Sequence, residues 1–163
     1  MHKELTRDSA TDAFRFYALI ERLTAGGAGK VPDRYRAMLT ADILRPREDG
    51  RGSGVSKPTE AAVLACERRL DLARAAILDL EAVERALEWA AGQKDGAELM
   101  ETMREVWMAD VHTPIGRHTI RDRAMRYAST KGYVSGRTVW RRLKKLRIRW
   151  AEERGLRVFE AEG

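Results

Sequence analysis

Thirty-three consecutive residues, 59–91, contain neither glycine nor proline. That stretch, "TEAAVLACERRLDLARAAILDLEAVERALEWAA", is dominated by Ala, Leu, Glu and Arg, which are strong helix formers. It predicts one long helix, capped by Thr59 after Pro58 and ended by "GQKDG" at 92–96. Val63, Cys66, Leu70, Ala73, Ile77, Leu80 and Leu87 follow alternating three- and four-residue steps. Glu84 alone breaks the seam, and Val83 beside it compensates in part. A stripe of this kind is of coiled-coil grade, so the helix is expected to drive assembly, as a dimer or a ring. The alternative is packing within the chain, against a helix at 8–24.

The rest of the chain also reads as helical, and the expected fold class is all-α. A first helix at 8–24 has Asp8 or Ser9 as its cap, with Ala13, Phe16, Tyr17, Ile20 and Leu23 near one face. "AGGAGKVP" (25–32) interrupts, and "DRYRAMLTADIL" (33–44) is a short helix. "RPREDGRGSGVSKP" (45–58) has the composition of a flexible linker. A further helix at 97–109 turns Leu99, Met100, Met103, Val106 and Trp107 inward. After "VHTPIGRH" (111–118), Thr119 caps a helix over 120–129 that buries Ile120, Ala124, Tyr127 and Ala128. The organisation expected is N-terminal helices to 44, a linker over 45–58, an assembly helix over 59–95, and a C-terminal domain from 96 to 163. No apolar run is long enough to span a membrane, and "MHKELTRDSATDAF" has no secretory h-region. A single cysteine, Cys66, excludes an internal disulfide and suits a reducing cytoplasm.

Charge is unevenly distributed. Between Arg117 and Arg149 twelve Lys or Arg residues face one acid, Asp122, for +11. The remainder of a chain of net charge +6 is therefore at −5. Such a block points to a localised polyanion site. Its core is "VSGRTVWRRLKKLRIRW" (134–150), with seven basic residues and no acid. On a wheel of 100° per residue, Val139, Leu143, Leu146 and Trp150 form one stripe, opposite Arg137, Arg141, Lys144 and Lys145. Thr138, Arg142 and Arg149 occupy one flank, Trp140 and Arg147 the other. Burying four or more cations would be prohibitive, so the helix packs its stripe and displays the rest.

Ser135 caps this helix, and "TKGY" (130–133) supplies the turn before it, with Gly132 free to take a positive φ. Helix, glycine turn and capped basic helix make a helix-turn-helix, the last part of a three-helix DNA-binding domain. Arg137, Thr138 and Arg141 would then face base edges in the major groove. Arg142, Lys144, Lys145 and Arg149 complete the contact set, Lys144, Lys145 and Arg149 on phosphates. Arg117, His118 and Arg121 open the preceding helix, where backbone N–H groups also favour phosphate.

Several stretches together resemble the RinA/ArpU-like phage transcriptional regulators. They are "GRGSGVSKPTEAAVLA", "LEAVERALEWA", "MREVWM" and "VSGRTVWRRL…AEERGL", covering about residues 50–156. The C-terminal half of that family resembles region four of sigma factors. The resemblance implies a phage or prophage activator of late or packaging genes, working in the host cytoplasm with RNA polymerase as a partner. It makes Ser135 the cap, Arg137, Thr138 and Arg141 the base-proximal set, and Val139 and Leu143 core. One departure is the longer, more basic segment "ADVHTPIGRHTIRDRAMRYASTKGY" before the basic helix.

Competing classes are a phage small terminase subunit, which assembles as a ring and loads viral DNA, and an adaptor gripping an acidic protein. A membrane-surface helix would carry a wider apolar sector. Enzymatic chemistry is not expected. "GGAGKV" (26–31) lacks a P-loop's first glycine, Thr24 standing there, and Val31 follows Lys30 where Ser or Thr is required. His112 and His118 lack the spacing of a metal site, so no metal or cofactor is expected.

Overall fold

Every regular element in the described residues is helical. The computed structural model describes residues 3–44, 59–112, 116–132 and 134–156. In chain order they form α1 (Lys3–Leu23), α2 (Val31–Leu44), α3 (Glu60–Leu72), α4 (Arg74–Ala91), α5 (Gly96–Val106), α6 (Arg117–Lys131) and α7 (Gly136–Glu153). The linker expected at 45–58, Pro114, and residues 157–163 lie outside the described residues, as does the Arg117 side chain.

The expected single helix over 59–91 is two helices. Thr59 Oγ1 does accept from the Ala62 N–H at 3.2 Å and starts α3. At Ala73, however, ψ opens to 1° and the helix is interrupted. Neither proline nor glycine is present to cause this. α3 lies along α2, while α4 packs on α1, α2, α5 and α7. α2 thus packs along both segments, and the hydrogen bonds from Ala73 N–H to Arg69 and from Ile77 N–H to Ala73 carry the chain through the break.

The same packing decides where the heptad stripe goes. Ile77 and Leu80 are buried in the chain's own core, Leu87 packs against that core, and Cys66 is buried on α3. Val63 is exposed, and Leu70 and Ala73 are partly so. From Ile77 onward the stripe is thus covered from within rather than left for another chain. Glu84, which breaks the seam in sequence, accepts a hydrogen bond from the Tyr17 hydroxyl of α1. The carboxylate sits where a neighbouring helix brings it a donor.

α7 is the second hub, packing on α1, α4, α5 and α6. Val139, Leu143, Leu146, Trp150 and Ala151 are buried along it, and the Trp150 indole N–H donates to the Asp79 carbonyl at 3.3 Å. One cluster of buried residues runs through α1, α2, α4, α5, α6 and α7, so the turn at 92–95 joins helices of one core. Gly96 permits that turn, because a Cβ there would collide with the Ala90 carbonyl oxygen. On α1 the expected Ala13, Tyr17 and Ile20 are buried and Phe16 packs against the core, but the face differs at two positions. Phe14 is fully buried against Trp107, ring centroids 4.9 Å apart, whereas Leu23 is 58% exposed.

Candidate nucleic-acid interface

α5, α6 and α7 pack pairwise on one another. α6 turns inward Ile120, Ala124, Tyr127 and Ala128. It ends at Gly132, whose φ of +66° lies in the left-handed region that glycine adopts at little cost. Ser135 then starts α7, its Oγ accepting from the Thr138 N–H at 3.2 Å. Gly132 at the end of α6 and Ser135 at the start of α7 thus have the local geometry that these residue types favour.

α6 is held at its start by two arginines. The Arg15 guanidinium of α1 is buried and donates to the carbonyls of Trp107, Ala109 and Asp110 at 2.7, 2.9 and 2.9 Å. Those carbonyls follow the C-terminus of α5, where the helix dipole favours a cation. Burial first, then repulsion from Arg123, lowers the Arg15 pKa. Arg123 of α6 donates to the Ala109 carbonyl at 2.7 Å and lies 3.5 Å from the Asp110 carboxylate. The α5–α6 connection is thereby tied to both α1 and α6, which sets how α6 faces α7.

The cations of α7 divide into two groups. Lys145 Nζ donates to Asp95 Oδ2 at 2.9 Å, and this bond holds the Asp95 carboxyl below its usual range. Arg142 donates to Thr102 Oγ1 at 3.3 Å. Arg149 pairs with Glu153 at 2.7 Å and stacks over the Trp89 ring at 5.4 Å. This flank is already engaged with the protein. On α6, Lys131 pairs with Glu101, whose carboxyl is lowered by that hydrogen bond.

The second group faces a cleft. Arg137, Arg141 and Lys144 of α7 line an open cavity of about 850 Å³, together with Arg121 and Gly116 of the α6 start. Its other wall is α1, through Arg7, Asp8, Thr11 and Asp12. Trp107, Ile120 and Leu143 supply apolar surface within it, and Trp140, 36% exposed, stands at its edge. Arg121, Arg137 and Arg141 are exposed, and among the described residues no carboxylate lies within ion-pairing distance of any of them. Gly116 caps α6 with no side chain, and the first turn of α6 carries no acid. His118 is exposed, its Nε2 3.4 Å from Asp122 Oδ2, a pair that carries opposite charge only when the imidazole is protonated.

The sequence-predicted set is therefore split. Arg121, Arg137, Arg141 and Lys144 converge on one cleft; Arg142, Lys145 and Arg149 lie on the engaged flank; Ser135 is a cap, and Thr138 beside it is half-buried. Arg147, placed on a flank by the helical wheel, is in fact 5% exposed and lines the inner part of the cleft. The α1 wall was not legible in the sequence, because Arg7 and Asp12 stand more than a hundred residues before α7 in no motif. Partial desolvation, then the charge of Asp8, raises the Asp12 carboxyl.

Among the described residues no group of three or more His, Cys, Asp or Glu side chains is placed to hold a metal ion, and no helix is long and apolar enough to cross a membrane. Comparison with protein-family models, with characterised proteins and with solved structures gives no match.

Proposed function

We propose that this chain binds double-stranded DNA in a sequence-specific manner, with α6 and α7 as a helix-turn-helix and α7 as its recognition helix. The observation that carries the reading is the division of charge on α7. Among the described residues Arg137 and Arg141 in its N-terminal half have no acidic partner, whereas Lys145 and Arg149 are neutralised by carboxylates of the same chain. Arginines at the start of a groove-facing helix take guanine bidentately, and Arg121, with the open N–H groups of the α6 start, meets a flanking phosphate. This refines the contact set. Arg137 and Arg141 read, Lys144 and Arg121 hold phosphates, and Lys145 and Arg149 contribute little.

The biological role that fits best is a phage or prophage transcriptional activator, on the strength of "VSGRTVWRRL" and its neighbouring stretches. RNA polymerase would be its partner, with no enzymatic step of its own. Packaging of viral DNA as a small terminase subunit is the alternative, and the two differ in symmetry. A dimer predicts two half-sites spaced by whole helical turns. Self-association would use α3, where Val63, Leu64 and Leu72 are 43, 58 and 82% exposed.

Selection from random duplexes, with solution mass measured on the same sample, tests both parts. On the selected site, Arg141→Ala is expected to cost about 1–3 kcal/mol and to relax base preference locally. Lys144→Ala is expected to weaken all sequences alike, and Lys145→Ala to do so far less. Affinity should fall with salt at a log–log slope of about −0.9 per phosphate neutralised. Absence of any complex at moderate ionic strength would refute the reading, as would equal effects of Arg141→Ala and Lys145→Ala on selected and scrambled duplexes.

A further inference from the structure

The cleft between α1 and α7 has features that a phosphate-tracking surface does not need. It is concave, about 850 Å³, within the size range of small-molecule sites. Trp107, Ile120 and Leu143, each under 10% exposed, form its buried floor inside a cationic border, and Trp140 exposes ring at the edge. We propose that this cleft binds a nucleoside phosphate, with the base against Trp140 and the phosphates on Arg121, Arg137 and Arg141.

Each part of the ligand answers a feature of the site. A purely inorganic anion would leave the Trp140 ring unused. A monoanionic lipid or aromatic acid would satisfy one guanidinium and leave two others of the three without counter-charge. A planar ring carrying two or more negative charges uses both. Tryptophan accepts a base by stacking irrespective of its identity, and guanidinium groups take phosphate oxygens bidentately. The α1 wall is mixed, carrying Arg7 together with Asp8, Thr11 and Asp12. Asp12 lines the cleft there and supplies an acceptor for a sugar hydroxyl or an exocyclic amine. The guanidinium groups of α6 and α7 and this acceptor match the two ends of a nucleotide. The site is read from the cleft alone. If the duplex reading also holds, occupancy withdraws Arg137 and Arg141 from DNA, so the ligand would act as a negative effector.

The test uses the full chain without DNA, so that its outcome is independent of the duplex reading. Adenosine 5′-diphosphate, adenosine and pyrophosphate are titrated by calorimetry at moderate ionic strength, with tryptophan emission followed in parallel. The diphosphate is expected to bind at least tenfold more tightly than either fragment and to quench emission. Trp140→Leu should remove most of the quenching and weaken the diphosphate at least fivefold, with pyrophosphate unchanged. Arg126→Ala, on the exposed face of α6 and outside the cleft, should change nothing. Binding of pyrophosphate as tightly as the diphosphate would overturn the proposal, since the ring would then contribute nothing. Failure of the diphosphate to bind the wild-type chain would overturn it outright, with no variant involved.

Discussion

Replacing Arg15 by methionine keeps the aliphatic stem and removes every donor, which isolates what the buried guanidinium does. Three carbonyl oxygens, of Trp107, Ala109 and Asp110, accept from it at 2.7–2.9 Å. Ala109 keeps a second donor in Arg123 and water reaches exposed Asp110, so the Trp107 carbonyl is the buried acceptor that loses its donor. A hydrogen bond from a charged group contributes about 1.5–3 kcal/mol net, and removing the buried cation recovers part of its desolvation cost. The expected loss is therefore about 2–4 kcal/mol. Arg15→Lys should fall between the two, because one ammonium does not span three carbonyls as a planar fork does. Urea unfolding followed by tryptophan fluorescence measures both variants, with the denaturant slope checked for constancy. The slope matters, since a change in it would mean an altered denatured or native ensemble rather than lost bonds. A loss under about 0.5 kcal/mol for Arg15→Met, or wild-type stability for Arg15→Lys, would refute the account of how the α5–α6 connection is held.

Other perturbations test the core and its titration. Leu80→Ala should cost about 2–5 kcal/mol, as for a fully buried leucine, and the loss should not depend on protein concentration. A concentration-dependent loss would return Leu80 to an interface between chains. Leu72→Ser should change stability by less than about 0.5 kcal/mol, and a lowered solution mass in that variant would identify α3 as the self-association surface. Burial first, and then the hydrogen bond to Glu84, raise the Tyr17 pKa well above its ordinary value of about 10. The folded state then holds the phenol proton more tightly than the unfolded state, so this contribution is intact below pH about 10 and is lost as pH rises beyond it. Unfolding at pH 9 and 11 should show a steeper alkaline loss in the wild type than in Tyr17→Phe; parallel losses would contradict the assignment.

The helical periodicity of short elements was legible in the sequence. Val139, Leu143, Leu146 and Trp150 on α7, and Ile120, Ala124, Tyr127 and Ala128 on α6, are buried as their spacing requires. Two caps were equally legible, whereas Thr119 lies inside α6, which Gly116 caps, and Asp8 and Ser9 lie inside α1. Thr59 and Ser135 accept from the N–H groups three residues ahead, a bond that depends only on local backbone geometry. On α1 the spacing found Ala13, Tyr17 and Ile20, which are buried, but missed Phe14, which packs on Trp107, and included Leu23, which is exposed.

What the sequence alone determined, then, is what acts within one or two turns: the all-helical class, the glycine at 132, the caps at Thr59 and Ser135, and a basic segment with an apolar underside. Tertiary structure decided everything that depends on which helices meet. It covered the stripe of 59–91 from Ile77 onward with α1, α2 and α7. It also sorted the cations of α7, quenching Lys145 and Arg149 with carboxylates while leaving Arg137 and Arg141 open beside α1. Side-chain periodicity is written locally. A charge is neutralised, or a leucine covered, only by a partner brought near from elsewhere in the chain.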